Sequence, residues 1–402
     1  MILKNAFIIT QNAKRENISR GYIRIRGPKI TEIGRSTVEK KEAEGTEKVI
    51  NLKGRIIMPG LINAHCHLGD LVYGSIGDDL KSPADILNIT NQIDCKIGKR
   101  KINQAKNRAR LKTVGFLLKN GVTALAGGRG IKEAQKFGVK FFGGIILKGR
   151  EDINLEVKKM IGGCRENPLC YPGVFIHSLL ETSLNKLFII SKWLKKKNLT
   201  VMIHLGEFPE EKDQIIKVYG KERIDVLKES GLLAKNQKMI IIHGNFLEEE
   251  ELKELSKYKV AIILCPASAR KFKYKSIDLN LLNKYGISTA LATDGPITNP
   301  DLDLFTDARN FYNLKKDSGE ELSIQELLDM ITIGAAEILG IQKKVGSLDV
   351  GKFADILILE AKEFSKIIEI GDHKIIKSII LNGRWFSNEP IYQELKEKIK
   401  NL

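Results

Sequence analysis

The chain has 402 residues, of which 43% are hydrophobic and 29% charged, and a formal net charge of +17. These proportions are those of a soluble globular protein. No run approaches the roughly 18 apolar residues of a membrane helix, and MILKNAFIIT lacks the long apolar stretch and cleavage site of a signal peptide, so a cytoplasmic location without a membrane partner is expected.

The length suits a barrel-sized domain of about 250–300 residues plus one smaller unit. The basic excess is spread along the chain. Short runs such as Lys99 to Lys101 and Lys195 to Lys197 read as solvated helix faces without interleaved aromatics. No nucleic-acid partner is expected on that footprint. Five cysteines are scattered at Cys66, Cys95, Cys164, Cys170 and Cys265. The number is odd and no CxxC occurs, so neither a disulfide framework nor a zinc knuckle is indicated.

From the N-terminus, NAFIIT, GYIRIRG and KITEIG read as short strands separated by turn residues. From about Arg55 to Gly340, strand and helix patterns alternate. Eight apolar runs follow one another: GLINAH, GVTALA, VKFFGGIIL, GVFIHS, TVMIHL, MIIIHG, VAIILC and ISTALAT. Helical patterns such as NKLFIISKWLKKKN and EEEELKELSKY lie between them. This order predicts an α/β fold, a (β/α)8 TIM-type barrel. Near the C-terminus, GSLDVGKFADILILE and KSIILNGRWF return to strand character. The two β-rich ends are expected to form one small β-sandwich domain, 1–54 plus 346–388, beside a barrel domain at 55–345. Residues 389–402, EPIYQELKEKIKNL, read as a surface helix.

Polar residues close several of the barrel runs: His65 and His67 the first, His177 the fourth, His204 the fifth, His243 the sixth and Asp294 the eighth. Chemistry in such barrels sits at the C-terminal strand ends, so these residues converge on one mouth. His65 and His67 are two apart. On an extended strand both imidazoles face the same way and can reach one ion, while Cys66 faces away and packs. His204 and Glu207 form HxxE, which puts a proton-shuttling carboxylate beside a ligand; the alternative for Glu207 is a helix-start glutamate. His243 follows MIII and is assigned to a place near the activated water. Asp294 can hold the metal and accept a proton from that water; otherwise it is a turn aspartate before Gly295. His177 is either a substrate contact or structural.

With these residues placed, the chain resembles the amidohydrolase superfamily. Within it, the cytosine deaminase and chlorohydrolase-like branch is the most similar, and there the methylthioadenosine/S-adenosylhomocysteine deaminase type. PGLINAHCH, IHLGE, IIIHGN, CPAS, LATDGPITNPDLDLF and GSLDVGKFADILIL carry the resemblance along nearly the whole chain. It implies one divalent ion, zinc before iron, on His65, His67, His204 and Asp294. It implies deamination of an amino-substituted heterocycle such as a purine nucleoside, by metal-activated hydroxide and with release of ammonia. The alternative is another C–N or C–Cl bond, in a cyclic amide or chloro-heterocycle. Asp294 would take the water proton, His243 would stabilise the adduct, Glu207 would protonate a ring nitrogen, and His177 would contact substrate. Glu207 must then carry a raised pKa. The resemblance also allows a homo-oligomer. Relatives acting on adenosine-type substrates carry tryptophan and glutamate after the first strand, where this chain reads GDDLKSPADILNITNQIDCK. They also carry an arginine near the third strand, where this chain offers Lys140 and Arg150.

Overall fold

The computed structural model describes residues 1–35, 47–74, 76, 80–147, 152–361, 363, 367 and 371–387. The helix expected at 389–402 and Arg150 lie outside them. In chain order the strands are β1 (Ile2–Ile9), β2 (Asn17–Arg26), β3 (Lys29–Arg35), β4 (Val49–Asn51), β5 (Ile56–Pro59), β6 (Leu61–Asn63), β7 (Val122–Gly127) and β8 (Lys140–Leu147). They continue as β9 (Cys170–Ile176), β10 (Thr200–Leu205), β11 (Lys238–His243), β12 (Lys259–Leu264), β13 (Ser288–Leu291), β14 (Ile356–Leu359), β15 (Ile376–Leu381) and β16 (Arg384–Ser387).

The terminal strands join in one eight-stranded sheet, ordered β16-β15-β14-β5-β1-β2-β3 with β4 also beside β1. It forms a domain of its own, as expected from the similar strand patterns of the two ends. Alternation sets its faces. On β2, Ile23 and Ile25 are buried while Arg26 is exposed. Leu3, Ile8, Ile23, Ile30, Ile57, Ile356 and Ile380 fill the core beneath. Asn382 and Gly383, with φ of 51° and 73°, turn β15 into β16, the backbone that an Asn-Gly hairpin favours.

The second sheet runs β6 through β13 in chain order, a nearly closed barrel with helices between its strands. All eight apolar runs became its strands. Neighbours from β8 to β13 pair in parallel. Strands covered on both faces need apolar residues at every position, and β7 is buried along its whole length. The register of β10 and β11 sets Leu205 opposite His243, so His204 and His243 end adjacent strands one step apart.

One apolar run serves both sheets. Ile56–Pro59 pairs with β1 and β14 in the terminal sheet, and Leu61–Asn63 begins the barrel. The break falls at Gly60, where a Cβ would lie 2.2 Å from the Thr123 hydroxyl oxygen, so only glycine fits. The chain divides into two compact units. One comprises Met1–Asn63, Gly115–Ala124 and Asp303–Leu402; the other comprises Ala64–Val114 and Leu125–Leu302.

Two sequence expectations change. Cys164 and Cys170 are bonded, with Cα atoms 4.8 Å apart across the turn from helix Ile153–Arg165 into β9. A spacing of six carries no motif, and only the turn brings the pair together. Lys140 is fully buried at the first residue of β8. That is the end opposite the chemistry, roughly 23 Å along the strand at about 3.3 Å per residue. It is therefore not placed to meet a ligand at the mouth. Among the described residues no helix is long and apolar enough to cross a membrane.

Candidate metal centre

Five histidines gather at the C-terminal ends of the barrel strands, all within the second unit. His65 and His67 lie just past β6. A bond from the Cys66 amide to the Ala126 carbonyl, 2.9 Å, keeps that segment extended beside β7. Alternation then puts both imidazoles on one side, centroids 4.8 Å apart, and buries the Cys66 thiol on the other. Burial and the nearby Asp294 charge push that thiol well above its ordinary range, which marks it as packing.

His204 comes from β10. Its Nδ1 lies 2.8 Å from the His177 carbonyl oxygen. That bond takes the Nδ1 proton and turns Nε2 inward. His204 Nε2 is 3.2 Å from His67 Nε2 and 3.3 Å from His65 Nε2. Burial, and then the charges of His177, His65, His67 and His243, hold the His204 imidazole far below its usual pKa. Neutral imidazole is the ligand form. Three inward ring nitrogens so close repel one another unless a cation lies between them, and they can hold one.

Asp294 lies past β13, with φ of 57° and little exposure. Its Oδ1 is 3.5 Å from Nε2 of both His65 and His67. Oδ2 accepts from the Thr298 hydroxyl at 3.0 Å, which fixes the carboxylate plane. Burial alone would raise this carboxyl. The hydrogen bond from His65 and the charges of His67 and His243 outweigh burial and hold it below the usual carboxylate range. Asp294 thus stays ionised beside three inward imidazole nitrogens, a donor set suited to one divalent ion.

His243 ends β11 with φ of 73°. It is 1% exposed, and neither ring nitrogen has a hydrogen-bond partner among the described residues. A buried imidazole without partners is costly unless something visits it. Burial lowers its pKa to about 4, with His65 and His177 adding and Asp294 opposing, so it stays neutral at pH 7. Glu207 Oε1 faces His243 Nε2 at 3.5 Å, beyond hydrogen-bond length. Burial pushes the Glu207 carboxyl well above its ordinary range, with the Asp294 and Glu211 charges adding to it. Glu207 does not start a helix; Glu211 does. His177 sits at the edge of the cluster, its centroid 5.0 Å from that of His204, with Nδ1 2.5 Å from Glu181 Oε2. The sixth histidine, His373, is elsewhere, beside Asp303.

All seven residues singled out in the sequence therefore share one mouth. Thr298, Glu181, Glu211 and Arg223 were not foreseen. The sequence over residues 56–386 matches the family model described as the amidohydrolase family. The chain belongs to the amidohydrolase family. A 5-methylthioadenosine/S-adenosylhomocysteine deaminase of Thermodesulfovibrio yellowstonii is 24% identical over 409 aligned positions, covering 95% of this chain and 92% of that protein. Among solved structures of this fold, a zinc-bound adenosine deaminase of Xanthomonas campestris superposes with a TM-score of 0.85 at 17% identity, covering 100% of this chain and 98% of the other. Atrazine chlorohydrolase of Arthrobacter aurescens TC1, complexed with zinc, reaches 0.81 at 19% identity, covering 99% of each chain. This amidohydrolase thus shares its whole-chain architecture with proteins of both kinds.

Proposed function

We propose that this protein is a mononuclear metal-dependent aminohydrolase that removes the exocyclic amine of a purine nucleoside or related amino-heterocycle as ammonia. The observation that carries the proposal is the convergence of three histidine Nε2 atoms with Asp294 Oδ1, next to the Glu207 carboxyl, whose Oε1 lies 3.5 Å from His243 Nε2. His65, His67, His204 and Asp294 would hold the ion, which is zinc in this proposal. When bound, a divalent ion lowers the pKa of a coordinated water towards neutrality and polarises the carbon under attack.

The side chains divide the remaining work. Asp294, ionised and fixed by Thr298, takes a proton from the attacking water through its carboxylate. Glu207, protonated, gives its proton to the ring nitrogen beside the carbon under attack, which makes that carbon electrophilic. The water proton taken by Asp294 then passes to the departing amine, which leaves as ammonia, and Glu207 recovers a proton from the new hydroxyl as its oxygen becomes a carbonyl. His243, neutral and without a hydrogen-bond partner among the described residues, donates an N–H to the oxygen that becomes negative in the adduct. His177, held by Glu181, flanks the bound heterocycle.

The deaminase name of the relative that spans nearly the whole chain supports an aminopurine nucleoside as the substrate class. The test is ammonia release by metal-loaded protein across aminopurines, aminopyrimidines and their nucleosides, with a chlorotriazine and a cyclic amide alongside. Ammonia from one of the first groups supports the proposal. Chloride or ring-opened product without ammonia replaces it with the other hydrolysis. The division into a composite domain at 1–54 plus 346–388 and a barrel domain at 55–345, in a cytoplasmic protein, belongs to the same proposal; limited proteolysis and fractionation test it.

A further inference from the structure

Glu211 and Arg223 are both nearly inaccessible, 2% and 1% exposed, and Glu251 is 9% exposed. Ions this deep are costly to desolvate and are kept only where their bonds are satisfied. Here the three side chains bond one another across their helices, and their backbone bonds end on two loops of the barrel mouth. The Glu211 carboxylate accepts from the Gly206 and Glu207 amides, and its Oε2 lies 3.2 Å from Arg223 Nη1. Arg223 grips Glu251 with two prongs, Nε to Oε1 at 2.6 Å and Nη2 to Oε2 at 2.5 Å. Nη2 also donates to the Phe246 carbonyl, three residues beyond His243. Glu251 Oε2 in turn accepts from the Glu248 amide at 2.9 Å. The two loops meet directly as well, through the Phe246 amide and the Gly206 carbonyl, 2.9 Å.

We propose that Arg223, bridging Glu211 and Glu251, is a positioning unit that sets the loop carrying Glu207 against the loop that follows His243. The role given to those two residues rests on the proposed deamination; the clamp itself rests on the bonds above.

The experiment uses the full-length, metal-loaded protein with Glu211→Gln and, separately, Arg223→Lys. Glu211→Gln is nearly isosteric but gives up one acceptor and turns an N–H towards Arg223. Hydrogen exchange is read first. The Gly206 and Glu207 amides should exchange at least about 10-fold faster while the interior of β10 keeps its protection. In turnover, kcat should fall about 10–100-fold, the usual loss for a residue that orients a catalytic one, with metal content unchanged and KM within about 3-fold. In a Glu207→Gln background the same substitutions should cost less than about 2-fold, since their effect runs through Glu207. Equal losses in both backgrounds, or unchanged exchange at both amides, overturn the proposal. If Arg223→Lys does not fold, Glu211→Gln decides alone. If the unmodified protein releases no ammonia from any substrate, the deaminase proposal fails while the exchange experiment still decides the clamp.

Discussion

The His177 carbonyl oxygen lies 2.8 Å from His204 Nδ1, and that bond decides which nitrogen of His204 looks into the barrel. A carbonyl can only accept, so Nδ1 carries the proton and Nε2 presents its lone pair. The main chain at the end of β9 thus orients a side chain at the end of β10. A histidine at position 177 is not needed for this, only its backbone. His177→Ala should therefore leave metal content intact while changing KM, whereas His204→Asn should lower metal affinity by at least about 100-fold, beyond the usual loss for orienting residues. Metal per chain after dialysis, measured by elemental analysis, separates the two.

Removing the ion should also cost fold stability. Without it, His204 Nε2 faces the Nε2 atoms of His67 and His65 at 3.2 and 3.3 Å. Metal at about 100–1,000 times its Kd should stabilise the protein by about 2.7–4.1 kcal/mol by mass action. Thermal unfolding with and without a chelator gives the difference. A Tm that does not depend on free metal concentration would remove the ion from the site.

His243 is held at φ of 73°, a backbone that asparagine tolerates better than most residues. His243→Asn should accordingly fold and bind metal. Its shorter side chain withdraws the donor from the developing oxyanion, so kcat should fall about 10²–10³-fold. Steady-state kinetics alongside metal content checks this; a loss under about 3-fold would exclude His243 from transition-state stabilisation.

The barrel was legible because strands buried on both faces are apolar throughout, and a polar residue closing such a run stands out. His65, His204 and His243 were visible for that reason. Ile56–Pro59 was not separable from Leu61–Asn63, since both are apolar and the change of sheet depends on a contact between Gly60 and Thr123, 63 residues further along the chain. Strand β4 is only three residues long and gave no periodic signal. Arg223, Glu211 and Glu251 lie in helical stretches dense with charge, PEEKD, GKERID and EEEELKE. Nothing local distinguishes a charge that will be buried from its solvated neighbours. Only the packing of the helices after β10 and β11 does.

Gly60 offers a test of that change of sheet. Its missing Cβ makes room for Thr123, whose side-chain atoms lie 2.2–2.8 Å from where a methyl would sit. Gly60→Ala should destabilise the fold by about 1–3 kcal/mol through overpacking. Urea unfolding should show a lower midpoint with an unchanged slope. Gly60→Ala combined with Thr123→Ser, which removes one of the clashing atoms, should recover part of the loss; no recovery would place the strain elsewhere.

Glu207 links activity to pH in a direction that can be worked out. Its carboxyl is raised well above the usual range, first by burial and then by Asp294 and Glu211. As a general acid it must hold its proton, so kcat/KM should fall as pH rises through the raised value, and Glu207→Gln should abolish that limb along with most of the rate. The same shift acts on stability with the opposite benefit. Between the unfolded carboxylate pKa near 4.3 and the folded value, the native state binds the extra proton, so stability falls as pH rises across that window. Glutamine never ionises. Glu207→Gln should therefore match the unmodified protein in stability near pH 4 and exceed it at pH 8. Denaturant midpoints at the two pH values decide it: a variant less stable than the parent at pH 8 would mean that the Glu207 carboxylate is stabilised by the site, and that it acts as a base.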